Sequence, residues 1–444
     1  MSGLGSSHCR PLTPHRSPLT PQALYTTMAP THHPPVALQA WQERILQAHR
    51  QGKTLSLRGM GSKDFFTHPR LRTGTAPLST EGLGQAIEHE PSELFVRVQA
   101  GARLSQVQAV LDQAGQCLAF EPPSFFPTDL ASDNPHDATV GGMVASGLSG
   151  PARVSSGSLR DHVLGVSLIN GRAEYLQFGG QVMKNVAGYD VSRLLCGSWG
   201  MLGLITEVTF KVLPCAPCEE SLQVRMSGPQ ALSKLASWAT RAWPLNASVW
   251  APSQDDDEHA SQAPGLLTLR FRGAMASVKA SLESLHAEFR RLGLTALTLS
   301  AIEASSYWNS VKDQQHGFFR DSCCAGTQSE VDASERLLWR LSLPLSEQHQ
   351  GQPLPSMGPA FIEWHGALRW FWAPIGETET LQLEASRMGA QLTLWRPAPD
   401  VAPERLGPLT PFLRPPLSAA SVKLHRQIQL AFDPKGVFNN GCLF

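Results

Sequence analysis

The sequence predicts an α+β protein of two domains, on three observations. Strand-like runs in the first half lead into glycine-rich turns and then into helical patterns, an alternation that suits α/β or α+β layers. A long alternating strand is stopped by Pro214 and Pro217. After Glu219, helical and strand patterns alternate again toward the C-terminus, and 444 residues allow two full-sized cores.

Each element has its own local reason. Leu38, Trp41, Ile45 and Leu46 fall at helical spacing and predict a short amphipathic helix. Thr54 to Leu57 reads as a strand entering a glycine turn, and Leu94 to Val98 as another. Leu104, Val107, Val110, Leu111 and Ala114 predict a helix, with Gly115 as its C-terminal stop. Val163–Ile169 and Arg172–Phe178 flank Asn170-Gly171, the preferred pair for a type I′ hairpin because both positions need positive φ. Leu204, Thr206, Val208, Phe210 and Val212 alternate with Ile205, Glu207, Thr209 and Lys211, a half-buried strand. Further on, Leu266–Phe271 predicts a strand. Val278 to Leu292 predicts a helix with Val278, Leu282, Leu285 and Phe289 on one face. Phe361–Trp364 and Leu368–Trp372 predict paired strands around His365-Gly366-Ala367.

Composition narrows the class. Apolar residues make up 42% and charged residues 17%, with 37 basic and 37 acidic side chains. A neutral chain has no field to draw in nucleic acid or an anionic membrane. No uninterrupted apolar run reaches the roughly 18 residues of a spanning helix, so membrane contact is expected only through partners. The eight cysteines include one C-x-x-C pair, Cys215 and Cys218, without a second pair at zinc spacing. They are expected to be free thiols, with no metal site and no iron–sulfur cluster. The first thirty-five residues hold seven prolines and four histidines, and no acidic side chain precedes Glu43. Residues 1–36 are therefore expected to be a disordered extension, and Met28 is a candidate start. Asp255 to Glu258 reads as a solvated loop.

Three glycine-rich segments carry the functional signal: Arg58-Gly59-Met60-Gly61-Ser62, Ala138 to Gly147 around Gly141-Gly142, and Gly197-Ser198-Trp199-Gly200-Met201-Leu202-Gly203. Each lets a backbone approach a ligand closely, and successive free N–H groups make a nest for anionic oxygens. Together they predict a long phosphate-bearing ligand. No Rossmann G-x-G-x-x-G follows a first strand, so NAD is not expected.

In order and spacing these segments resemble the FAD-binding domain of the vanillyl-alcohol oxidase / p-cresol methylhydroxylase flavoproteins. Phe178 to Asp190 and Phe432 to Asn439 are similar to the FAD-binding subunits of bacterial glycolate oxidases. The resemblance implies a two-subdomain FAD-binding domain at 37–216. A smaller α+β cap follows at 217–444, its C-terminal segment returning to the first domain. It assigns the cofactor to Arg58, Gly59, Met60, Gly61, Ser62 and Lys63 in the first segment. Thr139, Val140, Gly141, Gly142, Gly147 and Ser149 follow in the second, then Gly157 and Asp161. Gly197, Ser198, Gly200, Gly203 and Ile205 complete the set. Asp161 reads equally as a turn-stabilising carboxylate. The pyrophosphate loop has no histidine or cysteine, so the FAD is expected to be non-covalent.

Oxidising a 2-hydroxy acid also calls for an arginine on the carboxylate and a base, usually histidine, on the hydroxyl. His365 with Arg369 beside Glu363, and His316 with Arg320, are the candidates. Relatives that oxidise D-2-hydroxy acids carry an H-x-G-D-G-N-x-H metal motif, which this chain lacks. The resemblance therefore implies a subunit that oxidises glycolate with a catalytic flavin sister and an iron–sulfur subunit. It would be cytoplasmic, or peripheral to the inner membrane through that complex. A self-sufficient D-2-hydroxy acid dehydrogenase is the second reading, and a cofactor-free structural subunit the third.

Overall fold

The computed structural model describes residues 35–66, 76–125, 137–180, 190–252, 265–320, 336–344, 359–397 and 417–438. The N-terminal extension up to residue 34, Asp255–Glu258, Asn439 and most of the 178–190 stretch lie outside these residues.

The first half builds its core around a five-stranded antiparallel sheet. Helix α1 (Gln39–Gln51) buries Ile45 and Ala48 and ends at Gly52, where φ is 64°. The chain then enters β1 (Leu55–Arg58), which pairs in parallel with β2 (Ala76–Ser79). Strands β3 (Ile87–Glu90) and β4 (Phe95–Gln99) follow. Helix α2 (Leu104–Gln113) buries Leu104, Val107 and Leu111 on one face, and Gly115 follows with φ 62°. After β5 (Gln116–Cys117) come α3 (Val140–Ser146), β6 (Val163–Ile169), β7 (Tyr175–Gly179), β8 (Leu204–Lys211) and β9 (Leu213–Pro214). The sheet order is β3-β4-β8-β6-β7.

Two local expectations are corrected here. Strand β8 is the central strand and α3 packs across it, so Ile205 and Thr209 of the alternate face are buried along with the predicted inward face, while Glu207 and Lys211 are half-buried. Its alternation describes chemistry, but burial on both faces follows from its place in the sheet. The β6–β7 hairpin forms, though not through a type I′ pair. Its loop runs from Asn170 to Glu174, with Ala173 N donating to Asn170 O and positive φ falling on Ala173 (63°). Gly171 is needed for another reason: a Cβ there would lie 2.2 Å from Asp433 Oδ1.

The second half carries an eight-stranded sheet. Its members are β10 (Cys218–Met226), β11 (Leu245–Ala251), β12 (Gly265–Gly273), β13 (Ala296–Thr298), β14 (Arg336–Ser342), β15 (Phe361–Glu363), β16 (Leu368–Pro374) and β17 (Gln391–Pro397). The order is β13-β10-β12-β11-β15-β16-β14-β17. Helices α4 (Gly228–Trp238) and α5 (Met275–Arg291) cover one face, where Trp238, Leu285 and Phe289 meet Leu269 and Phe271. Helix α7 (Thr378–Arg387) links the parallel strands β16 and β17 on the same side as α4, whereas α6 (Ala301–Lys312) packs on the other face, where Trp308 Nε1 donates to Ser221 Oγ. The last helix, α8 (Ala419–Phe432), returns to the first core through Ala431, Phe432, Val437 and Phe438. Leu55 N donates to Val437 O at 2.7 Å, so the C-terminal segment flanks β1.

Candidate functional site: the glycine cradle and the cavity beside it

The three glycine segments, far apart in sequence, touch one another. A Cβ on Gly59 would lie 2.5 Å from Thr139 Oγ1, which brings the first segment against the second. A Cβ on Gly147 would lie 2.7 Å from Gly197 N, which brings the second against the third. Gly197 N donates to Val144 O and Trp199 N to Ala145 O, so the third segment is held on the end of α3. Glycine is required at 147 both by this contact and by its φ of 64°.

In the first segment, the backbone amides from Gly59 to Lys63 donate to no protein acceptor among the described residues. Five consecutive donors without partners, turned at Gly61 where φ is 78°, suit an anion nest. Arg58 is tied to Asp64 at 2.8 Å, and Lys63 Nζ lies 3.2 Å from Ser62 Oγ. Burial lowers the Lys63 pKa to about 8, although Asp313 and Asp137 act in the opposite direction. A buried ammonium of this kind gains from a bound phosphate charge. In the third segment Ser198 Oγ is buried and has no hydrogen-bond partner among the described residues, an atom that a ligand would satisfy. These features fit a dinucleotide whose pyrophosphate takes the nest.

Other expected contacts are used by the fold itself. Thr139 Oγ1 caps α3 by accepting from Gly142 N, and Gly141 N donates to Ala100 O. Val140 and Ile205 are core residues. Ser149 Oγ accepts from Leu159 N. Asp161 accepts from the amide and hydroxyl of Ser158 beside Gly157 (φ 86°). Burial would raise the Asp161 pKa, but those Ser158 hydrogen bonds outweigh it and hold it low. Its observed role is the turn-stabilising one. Gly200 (φ 79°) and Gly203 (φ 151°) shape the turn into β8. Met60 sits within the nest.

Next to the cradle lies a cavity of about 340 Å³ between the two halves of the chain. One wall is the segment from Ser146 to Pro151 with Arg153, Phe66 and Trp199, whose rings stack at 4.2 Å. The opposite wall is one face of the large sheet. Strand register explains its membership: Glu363, Leu368, Ser342 and Gln391 form one cross-strand row, and Trp370, Arg340 and Thr393 the next. Trp370 Nε1 donates to Glu363 Oε1 at 2.7 Å. Burial pushes the Glu363 carboxyl up to about 7, against the Trp370 hydrogen bond and the Arg340 charge.

The expected catalytic residues are placed elsewhere. Arg369 pairs with Ile362 and Leu341, so the period of two turns it to the opposite sheet face from Glu363. His365 also lies toward α4, its Nδ1 2.7 Å from Ser248 Oγ, and burial lowers its pKa to about 4. His316 packs against Phe361 and Tyr307, and burial lowers its pKa as well. Arg320 is exposed. The sequence reading missed Arg153 and Arg340 as cavity residues. Alternation of Arg340 with Ser342 on a strand was the available signal, but it does not say which face meets the cradle.

Comparison with known proteins agrees with this geometry. Residues 35–179 match the FAD binding domain family, a span that includes the first two glycine segments. The chain is 34% identical over 406 residues to glycolate oxidase subunit GlcE of Escherichia coli, covering 91% of this chain and 97% of that protein. It is 30% identical over 158 residues to glycolate oxidase subunit GlcD of Bacillus subtilis, covering 34% of this chain and 31% of that protein. Among solved structures, alkyldihydroxyacetonephosphate synthase superposes with a TM-score of 0.61 at 14% identity, covering 90% of this chain and 73% of the other. That likeness shows the shared fold.

Proposed function

Because this chain belongs to the family of FAD-binding glycolate oxidase subunits that includes the Escherichia coli protein, we propose that it is the FAD-bearing subunit of a complex oxidising glycolate to glyoxylate. The observation that carries the reading is the convergence of three glycine segments on one cradle, with unpaired amides from Gly59 to Lys63. Bound FAD supplies a two-electron acceptor. The chain's own residues bind it through the nest, orient it along Gly147 and Gly197, and cover it with the large sheet. The lack of histidine or cysteine in the first segment supports a non-covalent flavin. Among the described residues no group of histidine, cysteine and acidic side chains is arranged to hold a metal ion. In this reading a flavin sister subunit shares the oxidation and an iron–sulfur subunit takes the electrons. The complex resides in the cytoplasm and meets the membrane only through those partners. No helix among the described residues is long and apolar enough to cross a membrane.

The test is the visible spectrum of the purified chain before and after anaerobic glycolate. Flavin bands that are released on denaturation, and that bleach only with the sister subunits present, are expected. Bleaching in the isolated chain favours a self-sufficient D-2-hydroxy acid dehydrogenase, a second reading that the charged cavity supports. A colourless protein refutes both.

A further inference from the structure

The cavity wall holds an excess of positive charge that the fold does not neutralise. The Arg340 guanidinium lies 5.4 Å from the Trp364 ring and 5.9 Å from the Trp370 ring. Arg153 lies 4.4 Å from the Trp364 ring, on the other half of the chain. Neither arginine forms an ion pair or hydrogen bond with another side chain among the described residues, and both line the cavity. Burial lowers the pKa of both; the Arg153 charge lowers that of Arg340 further, and the Glu363 carboxylate acts against it. Arg270, by contrast, meets Glu121 at 2.8 Å. Two half-buried guanidiniums line one cavity with a single carboxylate, Glu363, so the wall keeps a net positive charge, and partly desolvated charge gains from a partner. Lys312, also on the wall, is occupied by Asp313 and Asn309.

The one acidic group on this wall is Glu363, held by Trp370 Nε1 at one oxygen and free at the other to accept from a ligand. The wall therefore offers two planar cationic forks, which match a carboxylate bidentately, and one acceptor for a hydroxyl. We propose that this chain itself binds a small 2-hydroxy carboxylate here, its carboxylate on Arg340 and Arg153 and its hydroxyl donating to Glu363. Resting on the flavin reading above, this assigns the acid to the FAD-bearing chain and to Glu363, rather than to the histidines His365 and His316. The Trp364 ring contacts both guanidiniums and the Trp370 ring also lies beside Arg340, so aromatic contacts hold the pair at the cavity before the ligand arrives.

The test uses the full chain with its flavin and 2-hydroxy-2-methylpropanoate, an acid with no α-hydrogen, so that binding is read without turnover. Calorimetry and the flavin difference spectrum report occupancy, and the methyl ester of the acid is the neutral control. Saturable binding of the acid, and none of the ester, is expected. Arg340→Met should weaken it about 10- to 100-fold, the worth of a charge-assisted hydrogen bond. Arg340→Lys should recover part of that, and Arg320→Met should leave it unchanged. Wild-type binding by a folded Arg340→Met variant overturns the proposal, as does a yellow wild-type chain that ignores the acid. A colourless chain that binds the acid through Arg340 keeps the site and overturns the flavin reading instead.

Discussion

Glu121 offers the sharpest test of how the cavity is held together. It lies in the turn after Phe120, at a positive φ of 49°, and reaches across to the large sheet. One oxygen accepts from Arg270 at 2.8 Å and from Ala152 N at 3.0 Å, while the other accepts from Arg272 at 2.9 Å. Arg270 is 2% exposed, bonded to Asn246 Oδ1 and stacked on Trp308. Burial alone would raise the Glu121 pKa, but the two arginines outweigh it and hold the carboxyl below its ordinary range. Glu121→Gln keeps the shape and removes the charge, leaving Arg270 desolvated without a counter-ion. Breaking one partner of a buried pair costs about 3–5 kcal/mol. Urea unfolding followed by tryptophan fluorescence should show it as a midpoint about 1 to 1.7 M lower, for a slope of about 3 kcal/mol per molar. The double variant Glu121→Met with Arg270→Met should recover most of the loss, because no unpaired charge remains. The wild-type advantage is full above the ordinary carboxyl range and disappears as the pH falls through the depressed value. A loss below about 1 kcal/mol, the worth of an exposed pair, would refute the argument.

Three further outcomes follow from the same geometry. Gly147→Ala places a Cβ 2.7 Å from Gly197 N at φ 64°, so it should separate the second and third segments and lower flavin content. Flavin released per mole of protein measures this. Gly171→Ala drives a Cβ into Asp433, which holds the amides of Val437 and Phe438. The C-terminal segment should detach and become sensitive to protease, with a stability loss of about 2 kcal/mol. Glu363 has its folded pKa raised to about 7 from an ordinary 4.5, so stability should fall as the pH rises through that window and level off above it. The full effect is about 3 kcal/mol, and Glu363→Gln should flatten the decline in urea midpoints measured between about pH 5 and pH 8.

Much of this protein is determined by local sequence. The helix of Leu104, Val107 and Leu111, the strands around His365 and the three glycine segments are legible because periodicity and glycine chemistry act over a few residues. The cofactor class was legible for the same reason, since the nest at Gly59–Lys63 is a property of its own backbone. Only the tertiary structure decided which sheet face meets the cradle. Arg369 and His365 share a hairpin with Glu363, yet a step of one residue along a strand turns a side chain to the other side. It also decided that Gly171 serves Asp433 rather than a tight hairpin, that β8 is central, and that Glu121 neutralises Arg270 while Arg153 and Arg340 form no ion pair among the described residues. Those outcomes depend on contacts across as many as 262 positions, from Gly171 to Asp433, over which local pattern carries no information.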